Sequence, residues 1–302
     1  MKFRPTFFIL FLITLCAGAH AAYSQTDLRN SIAGLTKPVD AKVGVGVIHL
    51  ESGDTLTING NSHFPMQSVF KFHLSLAVLN AVDNGKLSLD QQILIHKDDY
   101  FPNTWSPIAK KFPDADVNLT ISDLVSYSVA SSDNIGCDIL FRLAGGPKTV
   151  EAYIHNIGIT DVAIVNTERE MHQVWDLQFK NWTTPRAMAK LLDMFYKGNV
   201  VSRESTEFLN EVMENTITGV KRIKGFLPKG TKVAHKTGMG GHSETGVLGA
   251  VNDVGVVTLP NGEHVAIALF ITNTRESVVK LETLMAEISK KVFDHYTRGQ
   301  IK

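Results

Sequence analysis

Ser68 and Lys71 stand three residues apart in "FPMQSVFKFHL", with Phe70 and Phe72 on either side of the lysine. A serine hydroxyl is a poor nucleophile until a base sits beside it. A lysine can be that base where burial lowers the cost of its neutral form. At this spacing on a helix the two side chains share a face and can touch. In the first turn the Ser68 N–H also points outward, where it can help to hold an oxyanion. Core helices do not ordinarily carry lysine, so a buried Lys71 is expected to be used.

The spacing alone is weak, because S-x-x-K arises about once by chance in a chain of ordinary composition. It recurs from Ser277 to Lys280, where Glu276 precedes the lysine by four residues and an exposed ion pair is expected. Two other clusters weigh more. Ser132-Asp133-Asn134 is either a polar helix junction, since all three residue types cap helices, or a proton relay at Ser132 beside an amide contact at Asn134. His235-Lys236-Thr237-Gly238 ends a predicted strand. It is either a sheet edge guarded by lysine, or a grip in which Lys236 and Thr237 hold an anionic group and Gly238 lets a ligand approach the strand.

The clusters follow one another with about sixty and then about a hundred residues between them. In that order they resemble the motifs of class A β-lactamases, a set shared with penicillin-binding proteins. The resemblance covers essentially the whole chain after residue 21 and implies a β-lactamase/transpeptidase-like α+β fold, an antiparallel β-sheet flanked by helices with an inserted all-helical lobe. It implies that Ser68 forms an acyl-enzyme with a β-lactam carbonyl and that the N–H groups of Ser68 and Met239 hold the oxyanion. Lys71 and Ser132 would move protons. Lys236 and Thr237 would hold the substrate carboxylate, and Asn134 its side-chain amide. Trp105 falls where an aromatic residue lines the pocket mouth, with a surface-anchoring tryptophan as the alternative. Arg222 falls where some relatives place an arginine behind the carboxylate site, with a plain surface arginine as the alternative.

Deacylation separates a β-lactamase from a penicillin-binding D,D-peptidase or a β-lactam sensor, and it needs a carboxylate to position a water. In the family this base sits on a long loop, here "NTEREMHQVWD", which offers Glu168 and Glu170. Distance from the other motifs in the family selects Glu168 and leaves Glu170 as a loop ion-pair partner. The chain departs from the commonest pattern twice. His172 stands where an asparagine usually shares the water, and an imidazole can also hydrogen-bond one. Met239 stands where many relatives place a hydroxyl residue. With "FPMQSVFKF" and the lone cysteine, His172 resembles a divergent branch found in Bacteroidetes-type bacteria and some extended-spectrum enzymes, which often favours cephalosporins, whereas Met239 bears on substrate preference and efficiency and not on the reaction class.

The elements that must position these residues follow from patterning. "KVGVGVIH" and "TLTING" around "ESGD" predict an opening hairpin. Phe70 to Val82, apolar nearly all round, predicts a buried helix ending at Asn84-Gly85. A helix pair is expected over 119–144, a further helix in "KTVEAYIHNIG", and a long loop over 160–182. "TTPRAMAKLLDMFYKGN" reads as a capped helix. Strands are expected in "KVAHKTG", "TGVLGAVNDVGVVTLPNG" and "EHVAIALFITNT", then an amphipathic helix from Glu276 to Tyr296. The expected division is a leader over 1–21 and one catalytic domain over 22–302. Its α/β lobe takes about 22–64 and 213–302, and its helical lobe about 65–212.

Lysine plus arginine and aspartate plus glutamate each total 30 residues in the 302-residue chain, so no charge bias points to nucleic acid or an anionic membrane. Lys2, Arg4, the apolar run Phe7 to Leu15 and Ala19-His20-Ala21 read as a signal peptide cleaved after Ala21. A periplasmic protein without membrane attachment is expected. Leu15 before Cys16 argues against a lipid anchor. Cleavage leaves Cys137 as a lone cysteine, expected to be a buried thiol. The 11 histidines include no H-x-H-x-D or H-E-x-x-H run, so neither a metal nor another cofactor is expected. A monomer acting on small β-lactams is expected.

Overall fold

The computed structural model describes residues 25–298. The expected leader, with Cys16 and the cleavage point, lies outside the described residues. Residues 25–36 form helix α1, which the hairpin expectation had missed. Leu28, Ile32 and Leu35 place its narrow apolar stripe against the sheet. Then β1 (Lys42–His49) and β2 (Thr55–Ile58) make the expected antiparallel hairpin.

Strand β3 (Phe64–Pro65) leads through a 3-10 turn, Gln67–Val69, into α2 (Phe70–Asp83). Phe70, Phe72, Leu74 and Leu76 of α2 are fully buried. Burying each such side chain contributes about 1.5–3 kcal/mol, which is what holds a helix that also carries a buried lysine. Next come β4 (Gln92–Ile95), α3 (Pro107–Lys111) and β5 (Val117–Thr120), with β4 and β5 paired. Helices α4 (Ile121–Ala130) and α5 (Asn134–Ala144) meet at Ser131 to Asp133, and α6 (Pro147–Asn156) follows the left-handed Gly145, φ 86°.

The segment expected to be a plain loop over 160–182 carries β6 (Val162–Ala163), α7 (Glu168–Met171), a 3-10 turn (Trp175–Phe179) and β7 (Trp182–Thr183). β7 pairs with both β3 and β6, so the loop is stitched to the strand that leads to Ser68. Helix α8 (Pro185–Tyr196) is capped by Thr184, whose hydroxyl accepts from Ala187 N–H. Helix α9 (Arg203–Glu214), strands β8 (Val233–Met239), β9 (Leu248–Thr258) and β10 (His264–Thr274), and helix α10 (Val278–Thr297) complete the chain.

The main sheet is antiparallel in the order β2-β1-β10-β9-β8, with β8 at an edge. Alternation sorts β10 between two apolar clusters. Val265, Ile267, Leu269 and Ile271 pack with α1 and α10. Ala266, Ala268 and Phe270 join the cluster built from α2, α4, α5 and α8. Strand β1 is buried on both faces rather than one, because its small residues let α8 lie close. A Cβ on Gly46 would stand 2.2 Å from the Pro185 carbonyl oxygen. Among the described residues no helix is long and apolar enough to cross a membrane.

This contact separates two glycines. Gly46→Ala is expected to destabilise the protein by about 1–3 kcal/mol, as overpacking does. Gly34→Ala, in α1 with nothing within 4 Å, is expected to stabilise it by about 0.5–1 kcal/mol. Thermal unfolding of the two variants checks both signs.

Candidate active site

The sequence brings Ser68 to the mouth of α2 through a strained turn. Gln67 adopts a left-handed φ of 49° just before it. Asn252 of β9 holds this turn by donating to the Pro65 and Met66 carbonyls, at 2.8 and 3.0 Å. Gly238 of β8 packs against it: a Cβ there would lie 2.5 Å from Met66 O and 3.1 Å from Gln67 Cβ. The expectation that Gly238 makes room for a ligand is therefore corrected. Its missing side chain makes room for the turn that presents Ser68, and Gly238 does not line the cavity.

Lys71 is fully buried. Its Nζ lies 3.0 Å from Glu168 Oε1, 2.9 Å from Ser132 O and 2.5 Å from Asn134 Oδ1. Three acceptors around one amine are the partners of an ammonium, which has three donors. The Ser68 hydroxyl donates to Glu168 Oε1 at 3.2 Å. Thus Ser68 and Lys71 meet through Glu168, not by the direct contact that their spacing predicts.

Ser132, also left-handed with φ 58°, hangs between the two lysines. Its carbonyl accepts from Lys71, and its Oγ accepts from Lys236 Nζ at 3.0 Å. Lys236 is fully buried and also donates to Thr237 O at 2.9 Å. Burial first, and then the charge of Lys71, hold Lys236 well below the usual lysine range. Asp133, between the two site residues of its motif, is structural. It caps α5 through Gly136 N–H and accepts from Ser106 Oγ and Ile108 N–H. The Asn134 amide is engaged at both ends, accepting from Lys71 and donating to Thr104 Oγ1 at 2.9 Å. Cys137 is a buried thiol, held protonated by its burial.

Glu168 opens α7, a single turn. Asp138 of α5 accepts the N–H groups of Glu168 and Arg169 at 2.8 and 2.9 Å. Asn181 fastens the loop's other end, its Oδ1 accepting from Val165 and Asn166 N–H and its Nδ2 donating to Asn166 O. Glu170 closes a capping box with Thr167 rather than the expected ion pair. His172 Nδ1 lies 2.7 Å from Glu168 O, which places the ring proton there and leaves Nε2 as an acceptor at the cavity wall. Its ring meets Phe101 edge-on, with centroids 5.7 Å apart.

These residues surround a cavity of about 700 Å³ lined by Ser68, Trp105, Ser132, Asn134, Glu168, His172, Arg222, Thr237 and Met239, among others. Trp105 is 60% exposed at the rim and donates to Ser131 O. Arg222 is buried rather than on the surface. It contacts Glu282 at 3.1 Å and donates to Gly238 O and Asn252 O. Thr237 Oγ1 lies 2.6 Å from Thr218 Oγ1. Gly240 N–H donates back to Ala250 O, so strand alternation turns the neighbouring Met239 N–H to the open edge of β8. The duplicate motif is elsewhere: Ser277 caps α10, and Lys280 pairs with Glu276 at 2.5 Å.

Sequence reasoning missed several residues of this site. Gln178 comes off the long loop and accepts from Gln67 Nε2 at 2.7 Å. Thr104, Thr218 and Asp138 were also missed. Only Asp138 left a trace, as an aspartate four residues beyond Asn134 on the same helix face.

A model described as a beta-lactamase enzyme family matches residues 27–296. The chain belongs to the class A β-lactamase family. It is 42% identical to β-lactamase VEB-1 of Pseudomonas aeruginosa over 95% of this chain and 97% of that one. A β-lactamase structure from Chitinophaga pinensis superposes with a TM-score of 0.88 at 44% identity, covering 89% of this chain and 99% of that one. The TLA-3 extended-spectrum β-lactamase gives 0.89 at 44% identity, over 91% and 100% of the two chains. As a member of this family the chain is a hydrolase that opens the cyclic amide of β-lactam antibiotics and so confers resistance to them.

Asp138 supplies a pH signature for the loop. Burial pushes its carboxyl from 3.8 up to about 6, with its N–H bonds from Arg169 and Glu168 opposing the rise. An acid with a higher folded than unfolded pKa binds more protons when folded. Its contribution is therefore present at pH 3.8 and below, and is lost as pH rises to about 6. Asn carries no such proton. The stability of wild type relative to Asp138→Asn is expected to decline across that window, which urea unfolding at a series of pH values checks.

Proposed function

We propose that the chain hydrolyses β-lactams through a Ser68 acyl-enzyme, with Glu168 as the base of both half-reactions. The observation that carries this reading is the Ser68 hydroxyl donating to Glu168 Oε1 while Lys71 donates to that same oxygen. With its three donors occupied, Lys71 has no lone pair for the serine proton, and Glu168 does.

In acylation, Ser68 Oγ bonds to the lactam carbonyl carbon and its proton passes to Glu168. The N–H groups of Ser68 and Met239 hold the developing oxyanion. As the C–N bond breaks, Ser132 gives its hydroxyl proton to the lactam nitrogen. The proton that Glu168 took from Ser68 passes through Lys71 to Ser132, which restores the Glu168 carboxylate, the Lys71 ammonium and the Ser132 hydroxyl. Lys236 and Thr237 hold the substrate carboxylate, with Arg222 fixing the strand behind them, and Asn134 and Trp105 receive the side chain. In deacylation a water attacks the ester carbonyl, and Glu168 takes the water's proton. The Ser68 C–O bond then breaks and Ser68 regains its hydrogen. The Nε2 acceptor of His172 holds that water where relatives use an asparagine.

We further read the enzyme as favouring cephalosporins. The similarity to an extended-spectrum enzyme supports this. The leader motif supports export to the periplasm, where we read the enzyme as a monomer. The two apolar clusters that share the sheet support one catalytic domain of two lobes.

One set of assays tests this. Purified wild type is expected to turn over nitrocefin continuously and to give a higher kcat/KM for cephalosporins than for penicillins. A stoichiometric burst would point to a D,D-peptidase. Ser68→Ala is expected to lose about 10³-fold or more in kcat. Glu168→Gln is expected to accumulate a covalent adduct on Ser68, seen by intact mass.

A further inference from the structure

Behind the strand that carries Lys236 lie two fully buried partners, His235 and Asp253. His235 precedes Lys236 on β8, so its side chain leaves the opposite face of the sheet. Asp253 lies across from Thr237 on β9. Its Oδ1 is 2.9 Å from His235 Nδ1, and its Oδ2 accepts Ile223 N–H at 3.0 Å. Thr216 Oγ1 donates to His235 O at 2.7 Å. Asp253 therefore fastens the 223 end of the 216–223 segment and the β8 backbone at His235 its 216 end, and this segment carries Thr218 and Arg222 to the cavity wall.

The charge of the pair follows from its bonds. His235 Nε2 is buried without a hydrogen-bond partner. An imidazolium would leave a charged N–H unsatisfied there, so the ring is neutral with its proton on Nδ1. The pair then keeps the full negative charge of the Asp253 carboxylate. The charged and titratable groups that act on Lys236 are Lys71 of α2, Glu168 of the loop, the Cys137 thiol of α5 and, from the other face of the sheet, Asp253 of β9. Glu168 is already paired with Lys71. On its other side Asp253 acts on Lys224, which is partly buried.

We propose that His235 and Asp253 position the carboxylate-binding end of the site, bracing the 216–223 segment and supplying the negative charge that keeps Lys236 an ammonium. This rests on the reading of Lys236 as the grip for an anionic substrate group. Burial and Lys71 push the Lys236 pKa down, whereas Glu168 and Asp253 push it up. Without the Asp253 charge the ammonium is lost at lower pH, and the alkaline limb of anion binding moves with it.

The test is kcat and KM against pH for a cephalosporin and for its carboxylate methyl ester. In Asp253→Asn, and in Asp253→Ser should the first not fold, the alkaline limb of kcat/KM for the anion is expected to move down by roughly one pH unit. KM for the anion is expected to rise about tenfold near neutral pH with little change in kcat, and the ester parameters to stay put. His235→Gln, which keeps the carboxylate and a donor to it, is expected to leave the limb in place. An unmoved limb in the Asp253 variants, parallel losses with the ester, or failure of both variants to fold would overturn the proposal in favour of a packing role. Equal handling of anion and ester by wild type would instead overturn the Lys236 reading itself.

Discussion

Two ammonium groups, Lys71 and Lys236, are fully buried on either side of Ser132. Removing a charge from water costs several kcal/mol unless a counter-charge and hydrogen bonds replace the solvent. For Lys71 the replacement is Glu168 with the Ser132 and Asn134 oxygens. For Lys236 it is the Ser132 hydroxyl and the Thr237 carbonyl, with the charges of Glu168 and Asp253 acting on it from further away. These partners come from a helix junction, a loop and a sheet edge that are far apart in sequence. The fold must bring the three together before either lysine can be tolerated.

That requirement accounts for the stitching around the site. The long loop is bonded at both ends by Asp138 and Asn181, and pairs through β7 with the strand that leads to Ser68. Asn252 and Gly238 fix the turn before Ser68 against the sheet. Gln67, Asn103 and Ser132 are non-glycine residues at positive φ that line the cavity. Backbone in such regions costs of order 1–3 kcal/mol per residue and persists only where surroundings over-determine it. The same bonds that hold the charges also hold this strain.

The sequence made much of this legible because the motifs are local. Ser68, Lys71, Ser132 and Lys236 each sit in a short run whose surroundings, phenylalanines or a helix junction or a strand end, set its position. The main strands and the long helices followed from period and caps. What stayed hidden depends on non-local packing. Gly238 reads as ligand space until Met66 is seen filling it. Glu170 reads as an ion-pair partner until its own helix turn claims it through Thr167. A three-residue spacing predicts that Ser68 touches Lys71, yet a carboxylate a hundred residues away intervenes. Helix α1 and the strands inside the long loop carry too few apolar residues to declare themselves, and they form because the sheet and β3 offer them partners.

The central claim is that Glu168 receives the Ser68 proton while Lys71 stays an ammonium. Pre-steady-state acylation of Glu168→Gln, followed by stopped flow with a chromogenic cephalosporin under single-turnover conditions, addresses it directly. Loss of a general base typically costs about 10²–10⁴-fold, and the account predicts that the acylation rate constant itself falls into that range. Acylation at the wild-type rate, with deacylation alone abolished, would contradict it and return the base to Lys71.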